Sequence, residues 1–168
     1  FQTHGYKTAV AGKWQLWGSD PKGPQRGTGA TPEQAGFDEH CLWQIKDRGA
    51  RYWKPIIDRN GVRLEPRAED YGPDVFVDFI DDFMTRHRDE PFFVYYPMAL
   101  VHSPYVPTPD SAERRSKDKQ ANFGDMVTYM DAIVGRIVAR LDALGLRERT
   151  LLIFVGDNGT GRTIRTKT

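Results

Sequence analysis

Twice in this chain of 168 residues an amphipathic helical pattern gives way to a short apolar run, and that alternation constrains the fold more than any other feature. Residues 73–88 carry Phe76, Phe79, Ile80 and Phe83 three and four positions apart, which makes one apolar stripe on a helix. Pro73 falls in the first turn, where a missing N–H costs little. Pro91 closes the segment, and Phe92-Phe93-Val94-Tyr95-Tyr96 follows as an aromatic and β-branched strand. The spacing predicts a second helix from about Asn122 to Leu144. Met126, Met130, Ile133, Val134, Ile137, Leu141 and Leu144 mark its buried face, and Gly145 suits its C-terminal cap. Leu151 to Val155 is a continuous apolar run, the pattern of a central strand buried on both faces. Helix, strand, helix, strand is the order of an α/β fold, a mainly parallel central sheet sandwiched by helices.

Two further strands are expected upstream, over Tyr6 to Ala11 and Phe37 to Ile45. The stretch from Gly18 to Gly29 has the Gly, Pro, Ser and Asp content of a loop. Asp58-Arg59-Asn60-Gly61 between two short apolar segments is a hairpin signal, since Asn-Gly tolerates positive φ at both central turn positions. Residues 50–66 are therefore read as a hairpin insertion at the sheet edge. Lys and Arg number 24 against 23 Asp and Glu, a net charge of +1. That balance gives no whole-chain electrostatic case for nucleic acid or a membrane surface, so anion chemistry must come from a local site. The sequence has no apolar run of about eighteen residues that could span a membrane. A single cysteine, Cys41, excludes an internal disulfide.

Three of the expected strands end in polar groups, and open α/β sheets place ligands beyond the carboxyl ends of their strands. Lys13, with Gln15 beside it, offers a compact positive charge for a sulfate or phosphate oxygen; the plainer reading is a surface lysine next to a core Trp14. His102, in Val101-His102-Ser103-Pro104, could donate to an anionic oxygen or protonate a leaving group; it could equally be a structural histidine bonded to backbone. Asp157 and Asn158, followed by Gly159, suit a hard cation such as calcium or magnesium, although Asp-Asn-Gly is also a common turn. His4, His40 and His87 lack such a setting and read as surface or structural residues.

Taken in order, four segments resemble the sulfatase family of the alkaline phosphatase superfamily. They are Gly5 to Trp14 ending in Gly12-Lys13-Trp14, Pro91 to Tyr96 running into His102-Ser103-Pro104, Met126 to Gly135, and Ile153-Phe154-Val155-Gly156-Asp157-Asn158-Gly159. The resemblance implies an alkaline-phosphatase-like fold and hydrolysis of sulfate esters, carbohydrate sulfates among them, by the full-length protein. By position, Lys13 would contact the nucleophile and the sulfate, Gln15 the nucleophile, and His102 the sulfate near the leaving oxygen. Asp157 and Asn158 would be metal ligands, usually to Ca2+, with Mg2+ the other candidate. The family nucleophile is a formylglycine hydrate made from the Cys or Ser of a Cys/Ser-x-Pro-x-Arg motif. Family members are often exported; the sequence itself leaves the localisation open.

The departures from the family pattern are specific. No Cys/Ser-x-Pro-x-Arg motif occurs, and Cys41 in His40-Cys41-Leu42-Trp43 reads as a packing cysteine. An upstream pair of metal carboxylates is missing, and Lys167 is not assigned to the second sulfate-binding lysine expected after Asp-Asn-Gly. Many sulfatases have His where this chain has Gln15, which hydrogen-bonds but cannot shuttle a proton at neutral pH. Residues 1–168 thus read as an incomplete stretch of a single catalytic domain, cut at both ends, inactive and a poor metal binder by itself. The competing readings are a phosphodiesterase or phosphonate hydrolase of the same superfamily and a non-catalytic carbohydrate-binding relative.

Overall fold

A computed structural model of the protein describes residues 1–18, 24, 27–43, 45, 49–161 and 163–165. Lys167 and much of the loop expected over 18–29 lie outside the described residues. The chain divides into two units, Phe1–Ala99 and Leu100–Thr168.

The first unit is built on a five-stranded sheet. Its strands are β1 (Lys7–Lys13), β2 (Glu39–Trp43), β3 (Ile57–Arg59), β4 (Val62–Arg63) and β5 (Phe92–Tyr95), and one helix, α1 (Gly72–Arg86), precedes β5. The spatial order is β4-β3-β2-β1-β5. β1 runs parallel to both β2 and β5, whereas β2–β3 and β3–β4 are antiparallel. The hairpin forms where Asn-Gly predicted it. Asn60 and Gly61 take φ of 51° and 83°, the pair of positive values that matches the twist of the flanking strands. It occupies one edge of the sheet.

Strand side chains alternate between faces, and here the two faces differ in kind. Val10, Trp14, Leu42 and Ile45 cluster on one side, with Trp17 and Phe37 against them. The other presents small or flat residues, Ala9, Ala11, Cys41 and Trp43, all buried, to α1, which packs on β1 and β2. Phe76, Phe79, Ile80 and Phe83 of α1 are buried as their spacing predicts, and Val77 is buried beside them. Burial of each such side chain stabilises by roughly 1.5–3 kcal/mol, so this interface dominates the unit.

In the second unit, α2 spans Lys119–Ala143, starting three residues before the expected Asn122. Asp118 explains the earlier start: its side chain accepts from the Gln120 and Ala121 amides at 2.9 and 3.1 Å, an N-cap that apolar spacing does not reveal. At the other end Gly145 takes φ 67°. Its N–H reaches the Asp142 carbonyl, and the Leu146 N–H reaches that of Leu141, which is a Schellman closure. Met126, Ile133 and Leu141 are buried, whereas Met130, Val134, Ile137 and Leu144 are only half-buried.

The expected central strand at Leu151–Val155 is not formed. The segment joins no ladder among the described residues, and its side chains are 42–84% exposed. The apolar run specifies a strand that wants cover on both faces, but a strand exists only through its neighbours' hydrogen bonds. The sheet lies wholly within residues 7–95, and among the described residues 151–155 have no paired neighbour.

Candidate active site

Lys13 is the last residue of β1, and the reason the chain can end there lies in the residue before it. Gly12 has φ 116°, and a Cβ built on it would stand 2.2 Å from the Pro97 carbonyl oxygen. Only glycine fits. The segment leaving β5 therefore presses directly onto the end of β1, and the Lys13 N–H donates to the Pro97 carbonyl at 2.8 Å. Trp14 anchors the next step. Its N–H donates to the Trp43 carbonyl at 2.9 Å, its indole N–H to the Ala30 carbonyl at 3.1 Å, and its ring meets Phe37 edge-on. The sequence thus holds a core tryptophan and a half-buried lysine on opposite faces of one strand end. Gln15 follows and is exposed.

α1 orients this end of the sheet. Arg86, at its C-terminus, binds Glu39 at the start of β2 through two hydrogen bonds of 2.8 and 2.7 Å. The helix therefore runs antiparallel to the parallel strands and brings its N-terminus to their carboxyl ends, where Gly72 N–H donates to the Tyr52 carbonyl. The partial positive charge of that N-terminus joins Lys13 at one edge, with Asp74 in the first helical turn. An edge of this kind suits the oxygens of an anionic ester.

His102 is exposed in the second unit. Its Nδ1 lies 2.9 Å from the Ser103 carbonyl oxygen. A carbonyl only accepts, so in this contact Nδ1 is the donor. Asp157 and Asn158 are exposed in the loop after the apolar run. They supply two oxygen donors, whereas calcium takes six to eight. Among the described residues no group of three His, Cys, Asp or Glu comes together that could hold a metal. The donor set of these residues alone therefore does not fit a complete calcium site.

Cys41 is fully buried, and burial pushes its thiol up to about 12. It is protonated at neutral pH and has no nucleophilic role. His40 is structural: it is buried, with Nε2 2.8 Å from Asp58 Oδ1 and Nδ1 3.2 Å from Glu33 Oε1. His87 joins Glu39 and Glu90 at the amino end of the sheet. The close approach behind Lys13 escaped the sequence reading, because Gly12 and Pro97 are distant in sequence and neither residue type signals the other. No described helix is long and apolar enough to cross a membrane.

The family model described as Sulfatase matches residues 1–165. An N-acetylgalactosamine-6-O-sulfatase of Bacteroides thetaiotaomicron is 37% identical over 86 residues, 51% of this chain and 16% of that protein. Human arylsulfatase A is 30% identical over 186 residues, covering 92% of this chain and 33% of that enzyme. The chain thus spans at most about a third of the length of these relatives. Among solved structures, Ps i-CgsB in complex with k-i-k-neocarrahexaose superposes with a TM-score of 0.63 at 20% identity, over 86% of this chain and 36% of that one. The fold is the α/β, mainly parallel, alkaline-phosphatase-like one, and the chain belongs to the sulfatase family.

Proposed function

We propose that the protein containing this chain is a sulfuric ester hydrolase acting on sulfated carbohydrates, and that residues 1–168 supply part of its single catalytic domain. The observation that carries the reading is the sulfatase match over residues 1–165, with the matched Lys13 held at the carboxyl end of β1 by the Gly12–Pro97 contact. Relatives named for N-acetylgalactosamine and ulvan sulfates, and a structural neighbour in complex with neocarrahexaose, favour a saccharide as the alcohol part.

In this reading Lys13 neutralises a non-bridging sulfate oxygen as charge builds in the transition state. Gln15 offers hydrogen bonds to the nucleophile but no proton transfer. His102, with Nδ1–H committed to the Ser103 carbonyl, meets the bridging oxygen through Nε2; protonated there, it gives its proton to the departing alcohol. Asp157 and Asn158 contribute two donors to a Ca2+ site whose other ligands, like the formylglycine nucleophile, come from outside residues 1–168.

The test uses the full-length protein with 4-nitrophenyl sulfate and a sulfated galactose, against bis(4-nitrophenyl) phosphate. Sulfate hydrolysis should dominate, and Lys13→Ala and His102→Ala should each lower kcat/KM by about 10²-fold or more. A preference for the phosphate diester would turn the assignment to the phosphodiesterase reading. No turnover of any ester, with saccharide binding retained, would point to a non-catalytic relative.

A further inference from the structure

Residues 112–119 of the second unit read Ala-Glu-Arg-Arg-Ser-Lys-Asp-Lys, four bases against two acids with no large apolar side chain. A run of Lys and Arg this dense is the composition of surfaces that bind polyanions. Every residue of the run is exposed except Ser116, which is half-buried. Leu151–Val155 is exposed as well, but there an apolar pattern asks for cover. A segment of charged and small polar residues asks for water, so its exposure follows from its own sequence.

Both acids of the run are engaged by backbone amides. Glu113 Oε1 accepts from the Arg115 N–H at 2.9 Å. Asp118 is the N-cap of α2, its Oδ1 taking the Gln120 and Ala121 amides. The course of the segment is also fixed. The Ser116 N–H donates to the Glu113 carbonyl at 3.2 Å and closes a turn. Arg114 reaches back to the Thr108 carbonyl at 2.8 Å and braces the loop, and the side-chain amide of buried Asn122 donates to the Ser116 carbonyl at 3.2 Å. Arg115, Lys117 and Lys119 enter no ion pair among the described residues.

These three cations recur at every second position. Their successive Cα atoms are at most about 7 Å apart, inside the Debye length of about 8 Å at physiological salt, so their fields overlap. A polymer that repeats its anions at short intervals can meet all three, whereas a single sulfate ester meets one. The net charge of +1 on the whole chain supplies no wide basic face of the kind that tracks a nucleic acid.

We propose that Arg115, Lys117 and Lys119 form a binding surface for a sulfated polysaccharide, engaging several sulfates of one polymer chain. The inference goes beyond the hydrolysis of an ester, and it rests on the sulfatase reading above only for the class of polymer.

The experiment compares the full-length wild type with the triple variant Arg115→Gln/Lys117→Gln/Lys119→Gln, which keeps the Arg114 brace and the Asp118 cap. Binding of labelled dextran sulfate, unsulfated dextran and single-stranded DNA is followed by fluorescence anisotropy at about 50 and 200 mM NaCl. Wild type should bind dextran sulfate most tightly, and the triple variant about tenfold or more weakly at the lower salt, with a shallower salt dependence. Removing equal charge elsewhere, with Lys54→Gln/Arg67→Gln/Arg88→Gln, should weaken binding by less than about threefold. Equal losses in the two variants, no loss in the first, or equal binding of unsulfated dextran would overturn the proposal. DNA bound more tightly than dextran sulfate would overturn it in favour of a nucleic-acid surface. Turnover of 4-nitrophenyl sulfate and the unfolding midpoint should be unchanged in the 115–119 variant; a turnover loss as large as the binding loss would place these residues at the reacting ester and overturn the polymer surface. If neither protein hydrolyses a sulfate ester, the sulfatase reading fails, while a binding loss confined to the 115–119 variant still supports the surface.

Discussion

The two ends of the sheet in the first unit are held by opposite means. At the amino ends, charge is matched with charge: Arg86 spans Glu39 and Asp82, Asp82 also takes Arg59, and His87 bridges Glu39 and Glu90, which reaches Lys7. At the carboxyl ends the chain is held by close backbone approach at Gly12 and Gly72 and by packed aromatics, with Tyr52 stacked on Tyr71 and Trp53 tilted against it. Ion pairs hold the one end through side chains, whereas the other is held chiefly by the backbone itself. On the proposed reading, stability and chemistry are assigned to separate edges of one sheet.

The largest effect that would sharpen this contrast is expected at Gly12. Gly12→Ala combines an unfavourable φ with a clash against backbone that cannot swing away, and should cost about 3–5 kcal/mol by denaturant unfolding of the full-length protein. Gly61→Ala, with positive φ but open space around it, should cost only about 1 kcal/mol. Comparable losses at the two sites would remove the clamp from the account. Next comes Lys13→Ala, for which unfolding midpoints should stay near wild type while kcat/KM falls about 10²-fold; a stability loss without an activity loss would reverse the comparison.

Arg86→Ala should show the opposite profile, with about 1 kcal/mol lost after solvent screening, since the side chain is 41% exposed, and turnover unchanged. The smallest effect is a matter of pH. Hydrogen bonding to Arg86 holds the Glu39 carboxyl below its ordinary 4.5. A depressed folded value means stability that is present above the unfolded value and lost as pH falls through the folded one. Wild type should therefore lose stability below about pH 4.5 more steeply than Glu39→Gln. Parallel acid limbs for the two proteins would show that the pair is idle.

Much of the first unit was legible because its elements are local. The stripe of α1, the Asn-Gly turn and the aromatic run of β5 each carry their own signal within a few residues. The Gly-Lys-Trp and Asp-Asn-Gly segments were legible for a different reason, resemblance to a known family, and the roles of Lys13, Gln15, His102, Asp157 and Asn158 rest on it. What could not be read was long-range. The Pro97 carbonyl against Gly12 and the Arg51 guanidinium over Trp43 are meetings between residues whose types do not announce each other. The failure at Leu151–Val155 has the same root, since a strand pattern states a demand for neighbours and not their presence.

That apolar run has a colloidal consequence. Thr150 to Gly156 combines high β propensity with no charge and no proline, and its five large side chains face solvent; segments of this composition template cross-β assembly. Arg147, Glu148 and Arg149 stand on one side of it and Asp157 on the other, in the places where gatekeeper charges suppress such assembly. Asp157 therefore carries two burdens. Under the proposed calcium role, removing its carboxylate would delete a donor for a cation and also ungate a sticky stretch, so lost turnover in a variant there has meaning only when light scattering shows that the protein stayed monodisperse.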